Sequence, residues 1–254
     1  MYPTILRIGS FEITSFGVLV AIAVLVGAGV LSRETERRGL DPSVAFEAVF
    51  AGVLGGLLGA KALYVLEHAW LGEPARGLIF DRAGLSWFGG LIGGVAGGAA
   101  AFARRGIGWR NALDAAGPAL AIGQAIGRIG CFLVGDDYGT PTNLPWGMAF
   151  PNGSPPTLAR VHPTQLYEAG ALVVLFVWLR RSPRRTDRPG RVFARYLVGA
   201  GAIRFPLEFI RPNPHLIAGL SIAQAASAVA VVAGLGWLVA IRAASRQNAV
   251  SSRQ

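Results

Sequence analysis

An arginine inside an apolar segment is the residue of this chain whose setting points most directly to chemistry. Residues 127–139 read GRIGCFLVGDDYG, so Arg128 is followed by an apolar run and then by Asp136 and Asp137. A guanidinium in a hydrocarbon layer costs roughly 2.5 to 3.5 kcal/mol on insertion scales, so such a residue usually has a partner or a ligand. No carboxylate lies three or four residues from Arg128 along the sequence. We therefore expect its partner to come from another element, and we interpret Arg128 as a binding residue.

A second group of charges lies late in the chain. Arg204, Glu208 and Arg211 are spaced i, i+4 and i+7, so they share one face if a helix continues through them. Arg204 and Glu208 have two interpretations: they neutralise each other across one helical turn, or they take part in catalysis.

A third polar group opens the helix predicted near residue 165. It contains His162, Gln165 and Glu168, of which the last two share a helical face. Two or three arginines converging near this group would form an anion site, because guanidinium forks match phosphate oxygens and stay charged at any working pH.

Composition sets the class of protein that must position these residues. The chain has 254 residues, of which 52% are hydrophobic and 15% charged, and its mean hydropathy is +0.47. A soluble domain has nearer a quarter of its residues charged, so the composition indicates a polytopic membrane protein. The net charge of +10 comes from short arginine blocks between apolar segments. We therefore expect no nucleic acid partner.

The predicted fold is all-α, with seven transmembrane helices in one domain over residues 1–241. A disordered basic cytoplasmic tail is expected at 242–254. The N-terminus is expected outside and the C-terminus in the cytoplasm, because the arginine-rich loops then face the cytoplasm. This orientation places the proline-rich segment 136–163 outside, as a structured extramembrane loop. The predicted spans are 13–31, 45–66, 85–102, 112–134, 165–179, 193–210 and 216–241.

Several polar residues also have ordinary structural explanations. Cys131 is the only cysteine, so no intrachain disulfide can form, and it is expected to pack as a small hydrophobe. Lys61 and Asp114 are explained as contacts between helices. Asp136 and Asp137 are also typical of a turn that ends a helix.

The sequence resembles one known family in several blocks. Residues 127–139 resemble the signature G-R-x-G-N-F-x-N-x-E-x-x-G of bacterial prolipoprotein diacylglyceryl transferases. HPTQLYE at 162–168 resembles that family's H-P-S-Q-L-Y-E, and GAIRFPLEFIR at 201–211 resembles its G-x-x-R-x-x-x-E-x-x-R. RRGLDP at 37–42 and GLSWFGGLIG at 84–93 also fall in family order.

The resemblance implies a multi-pass enzyme of the bacterial inner (plasma) membrane. Such an enzyme moves the diacylglyceryl group of phosphatidylglycerol to the lipobox cysteine thiol of a preprolipoprotein and releases glycerol phosphate. It implies no metal and no other cofactor. By resemblance, Arg204, Glu208 and Asp136 would be catalytic. The substrate-binding residues it implies are Arg128, Gln165, His162 and Arg211.

The sequence departs from the family pattern at several positions, and these keep alternatives open. A family histidine is replaced by Phe88, so the thiol proton would pass to Glu208, His162 or water. One alternative function is a related membrane transferase that uses another phospholipid or acceptor. The other is a phospholipid-binding or transport protein without catalysis. The remaining departures are Phe16, Cys131, Val134, Asp136 and Ala200.

Overall fold

The structure is a computed structural model that describes residues 4–8, 11–70, 75–80, 84–181, 188–214 and 219–251. Helices dominate this part of the chain, and two short antiparallel hairpins accompany them. The helices are α1 (Ser15–Arg37), α2 (Ser43–Trp70), α3 (Ala75–Phe80), α4 (Trp87–Arg104), α5 (Trp109–Val134), α6 (Thr164–Arg181), α7 (Arg191–Leu207), the 3-10 turn η1 (Glu208–Ile210) and α8 (Ile222–Ser251).

The two hairpins correct the all-α prediction to a mostly helical fold. Strands β1 (Thr4–Ile8) and β2 (Phe11–Thr14) form the first, directly before α1, and β2 overlaps the start of the predicted span 13–31. Their residues, TILRI and FEIT, are rich in the β-branched side chains that favour strands. Strands β3 (Met148–Phe150) and β4 (Thr157–Val161) form the second, inside the proline-rich loop. That loop is therefore structured, as predicted.

Each predicted span coincides with a helix. Within the described residues, four helices are long and apolar enough to cross a membrane by length and composition, namely α1, α2, α5 and α8. The shorter helices α4, α6 and α7 occupy the other three predicted spans. Many large apolar side chains on these helices are exposed, among them Phe50, Leu57 and Val232. A protein surface of this kind is suited to contact with lipid.

The last helix differs from the sequence prediction at both ends. It begins at Ile222, and residues 216–218 of the predicted seventh span lie outside the described part. It continues to Ser251, so residues 242–251 are helical where a disordered tail was expected. The sequence there, RAASRQNAVS, contains no proline or glycine and has alanines that propagate a helix already begun. The final residues, 252–254, lie outside the described part.

The chain divides into two compact units, and the first comprises residues 1–30 and 113–254. Its core joins α5, α6 and α7 through buried residues that include Ala121, Leu175 and Val192. Asp114 of α5 is fully buried and accepts hydrogen bonds of 2.8 Å from the backbone N–H groups of Gly190 and Phe193. This carboxylate satisfies free N–H groups at the start of α7, as a capping residue does. The predicted interhelical role of Asp114 is confirmed.

The second unit comprises residues 31–112 and is built on the packing of α2 against α4. Glycines line both helices where they meet. A Cβ atom placed on Gly59, Gly89 or Gly93 would collide with a backbone atom of the facing helix. Small residues allow this close approach, so the two helix backbones pack directly against each other. Lys61 of α2 donates a 3.0 Å hydrogen bond to the Gly84 carbonyl, in the segment that precedes α4, so this bond is not the helix-to-helix contact that was predicted.

Candidate functional site

Arg128 lies two turns before the end of α5, and carboxylates from two other segments bind it. Its Nη1 donates to Asp137 Oδ2 at 2.8 Å, and its Nε lies 3.0 Å from Glu168 Oε2. Glu168 is buried near the start of α6. The partner of Arg128 therefore does come from elsewhere in the fold, as its isolation in the sequence predicted.

Asp137 joins two of the arginines. It follows the end of α5 and has a φ of 60°, a left-handed conformation that Asp adopts more readily than most residues. This turn places one carboxylate oxygen on Arg128, and the other forms an ion pair with Arg211 Nη2. The Thr164 hydroxyl donates to the Asp137 carbonyl at 2.7 Å and fixes the turn against α6.

The end of α7 positions the second pair of charges. Pro206 lacks a backbone N–H, and α7 passes into the 3-10 turn η1 at Glu208. Arg204 Nη2 lies 2.7 Å from Glu208 Oε2, so the predicted i, i+4 ion pair is present. Arg211 Nε lies 3.8 Å from the same oxygen. Glu208 therefore serves two arginines.

The other carboxylate oxygen of Glu208 accepts hydrogen bonds from neutral groups. Its Oε1 accepts hydrogen bonds from Asn213 Nδ2 at 2.6 Å and from the Ser221 hydroxyl at 2.8 Å. Only 1% of Glu208 is exposed. An unpaired carboxylate this deeply buried would cost several kcal/mol, and the four partners offset that cost.

The six charged residues form one continuous chain of ion pairs, which we call the arginine–carboxylate cluster. Along that chain, cations and anions alternate. Arg204 Nη1 is buried and has no hydrogen-bond partner among the described residues. A guanidinium N–H in this state is suited to an anionic ligand. The members, in order, are Glu168, Arg128, Asp137, Arg211, Glu208 and Arg204.

Gln165 and Asp136 lie beside this cluster. Gln165 is buried and donates through Nε2 to the Asp136 main-chain carbonyl. The Asp136 carboxyl interacts with the Cys131 thiol, and burial raises the pKa of this carboxyl above its usual range, while the thiol hydrogen bond opposes that rise. Ligand atoms of Cys131, Asp136 and Asp137 lie within 4.8 Å of one another, close enough to hold a metal ion. Both oxygens of Asp137 are already paired with arginines, which disfavours that use.

His162 stands apart from the ion pairs. Its Nδ1 lies 3.4 Å from the Tyr167 hydroxyl, which accepts a 2.7 Å hydrogen bond from Trp146 Nε1. Its backbone links the end of the loop to its beginning, because Gly139 N–H donates to the His162 carbonyl at 2.8 Å. The structure thus unites Arg128, Gln165, Arg204, Glu208 and Arg211 but leaves the His162 ring in a separate aromatic group.

The predicted site omitted several residues that contact the charges. Glu168 was named in the third polar group and ends the block HPTQLYE, but it was given no role in the predicted site. The sequence does not distinguish Asp137 from Asp136, and only the backbone turn shows that Asp137 contacts the arginines. Asn213 and Ser221 are ordinary polar residues in the sequence, and only their approach to Glu208 distinguishes them.

The fold and the cluster together describe a mostly helical protein with helices apolar enough for a membrane and with three arginines held by carboxylates. A family comparison gives the same answer with more detail. The sequence model described as prolipoprotein diacylglyceryl transferase matches residues 3–240. This chain therefore belongs to the prolipoprotein diacylglyceryl transferase family, as the motif resemblance predicted.

Curated relatives agree over nearly the full length. The phosphatidylglycerol–prolipoprotein diacylglyceryl transferase of Synechococcus elongatus is 35% identical over 257 residues, which cover 94% of this chain and 88% of that protein. The protein of the same name from Clostridium tetani is 30% identical and covers 92% and 96% of the two chains. That from Bordetella parapertussis is 36% identical and covers 96% and 97%.

Proposed function

We propose that this chain transfers the diacylglyceryl group of phosphatidylglycerol to the lipobox cysteine thiol of preprolipoproteins. In this reaction a sulfur–carbon bond forms at the glycerol carbon and the carbon–oxygen bond to phosphate breaks. The thiol proton passes to His162 or to water, and glycerol phosphate leaves. The observation that carries the proposal is the convergence of Arg128, Arg204 and Arg211 in one partly buried cluster.

The three arginines have different roles in this proposal. Arg128 would bind the phospholipid headgroup, since two carboxylates fix its guanidinium in one orientation. Arg204 would stabilise the leaving phosphate through Nη1, the N–H that no described residue uses. Charge that develops on a leaving phosphate is stabilised best by donors already held in place. Arg211 would hold the carboxylates of Asp137 and Glu208 in place.

The carboxylates and polar groups have supporting roles in this proposal. Glu208 would orient Arg204, since its two oxygens already serve two cations and two neutral donors. That arrangement disfavours Glu208 as the acceptor of the thiol proton. Asp136 would face the headgroup hydroxyls, and Gln165 would fix its backbone. His162 would bind substrate from the outer loop.

The proposed setting is the bacterial inner membrane. We propose seven spans with the N-terminus outside and the C-terminus in the cytoplasm, which the arginine-rich loops support. The loop with β3 and β4 would then lie on the outer side, where lipobox peptides emerge.

A labelling assay tests the proposal. Purified protein in vesicles is given phosphatidylglycerol labelled in its acyl chains and a synthetic lipobox peptide. We expect labelled peptide and free glycerol phosphate, and a lipobox Cys→Ser peptide should stay unlabelled. Label from another headgroup alone would indicate a different transferase. Headgroup binding without release of glycerol phosphate would indicate a binding or transport protein.

A further inference from the structure

The serine that precedes α8 holds the Glu208 carboxylate. Ser221 is 2% exposed, and its hydroxyl donates to Glu208 Oε1 at 2.8 Å. The same Oε1 accepts from Asn213 at 2.6 Å. Both neutral donors therefore occupy one carboxylate oxygen, which leaves Oε2 for Arg204 and Arg211.

The Ser221 hydroxyl is itself fixed by a reciprocal cap of α8. Gln224 N–H donates to Ser221 Oγ at 3.1 Å, and Gln224 Oε1 accepts from Ser221 N–H at 3.0 Å. This is a capping box, in which a Ser and a Gln three residues later satisfy each other's backbone. Because the oxygen of Ser221 accepts from the helix, its proton is free to point to Glu208. Gln224 is fully buried, so water does not compete for these bonds.

We infer that Ser221 is a positioning residue, which through Glu208 holds Arg204 in the orientation that stabilises the leaving phosphate. This inference rests on the proposed transfer reaction. Ser221 touches no reacting atom; it fixes which oxygen of Glu208 faces the arginines. Without the Ser221 hydrogen bond, Asn213 is the only neutral donor left on Oε1. The carboxylate then gains freedom about its side-chain torsions, and Arg204 Nη1 is held less firmly in its direction.

The position of Ser221 predicts an effect on kcat rather than KM. Arg128 has its own carboxylates, so binding of the headgroup in the ground state should be preserved. Arg204 acts as charge develops on the phosphate, so its misplacement lowers the rate of the bound complex. Loss of a hydrogen bond to a charged group predicts a decrease in kcat of about tenfold or more.

Three substitutions at this position separate the positioning role from the capping role. Ser221→Ala removes both the hydroxyl and the cap, whereas Ser221→Gly removes the hydroxyl but weakens a helix cap by only a few tenths of a kcal/mol. Ser221→Thr keeps the hydroxyl and should restore most of the activity. Ser227→Ala is the matched control, because the buried Ser227 on the same helix donates only to the Ala223 carbonyl in the contacts observed.

The experiment measures kcat and KM for phosphatidylglycerol in the labelling assay, with a thermal melt of each variant. We expect similar kcat losses of about tenfold in the Ala and Gly variants, KM within about twofold, and normal values for the Ser227→Ala control. Activity that follows thermal stability, with Ala much worse than Gly, would overturn the inference. An active wild type with fully active Ala and Gly variants would overturn it while the transfer reaction stands. An inactive wild type would overturn both.

Discussion

At the scale of single residues, the site depends on carboxylates that each serve more than one cation. Asp137 pairs with Arg128 and Arg211, and Glu208 pairs with Arg204 and Arg211. Shared partners couple the three guanidiniums, so removal of one anion should disturb two cations together. The substitutions below follow from that coupling.

Arg128→Lys should lower transfer activity by about 100-fold while membrane insertion and yield stay unchanged. An ammonium keeps the charge but lacks the planar fork with which Arg128 reaches Asp137 and Glu168 together. The labelling assay measures the loss. Arg7→Lys is the control, since Arg7 forms an exposed ion pair with Glu12 on the first hairpin. Full activity in the Arg128 variant would make this arginine a purely structural cation.

Asp137→Asn should reduce activity more than Asp136→Asn. The amide at 137 would put a neutral group between two arginines, whereas the carboxylate of Asp136 forms none of the observed ion pairs with arginine. We expect a loss of roughly 100-fold for the first variant and under tenfold for the second, in the same assay and with equal amounts of folded protein. The opposite order would show that Asp136 is the principal carboxylate of the reaction.

Some of these residues could be predicted from the sequence and others could not. Arg128 and the pair Arg204 and Glu208 stand out because a charge in an apolar segment is costly and needs a reason. Asp137 could not be chosen over its neighbour, because the choice depends on a left-handed φ in a turn. Ser221 enters the site only through a tertiary contact with Glu208.

At the scale of elements, the contact between α2 and α4 depends on glycine. Gly93→Ala should destabilise the protein, because the new methyl group would meet backbone atoms of Gly55 and Gly59. Overpacking of this kind costs roughly 1 to 3 kcal/mol. A lower melting temperature in detergent would show it.

The matched control for this substitution is Gly236→Ala. Gly236 lies in α8, and a Cβ atom there would meet nothing within 4 Å. Alanine favours a helix over glycine by about 1 kcal/mol, so this variant should be as stable as wild type or more so. Equal melting temperatures for both variants would contradict close packing of α2 and α4.

The helices were predictable where apolar length alone decides them, and each predicted span contains one. The hairpins were not, since β1 and β2 are only five and four residues long. Strands this short are stabilised by pairing with a partner, which no local pattern records. The extension of α8 past residue 241 was not predicted, because the sequence becomes polar after that residue and this change was interpreted as the end of the helix.

At the scale of the whole molecule, the arginine-rich loops predict the orientation in the membrane. A reporter enzyme active only in the cytoplasm should be inactive when fused after Pro145, in the loop that contains β3 and β4. The same reporter fused after Arg110, in an arginine-rich segment, should be active. Activity in the first fusion would reverse the proposed orientation.

The motif resemblance and the match over residues 3–240 both indicate membership of the same family. Ordered blocks spread along a chain are more specific than any one of them, and this is why the family could be predicted from one sequence. The departures at Phe88 and Cys131 lie inside those blocks, and the family match extends through both of them.

The glycine contact between α2 and α4 also affects how this pair can change during evolution. Backbone atoms form the contact at Gly59 and Gly93. The side chains that point away from this contact therefore have little effect on how the two helices pack. Phe50 and Leu57 are exposed at 72% and 57%, and in lipid they need only remain apolar. Substitutions should therefore accumulate at those two positions among descendants of this gene, while the glycines are retained because the contact between the two helices requires them.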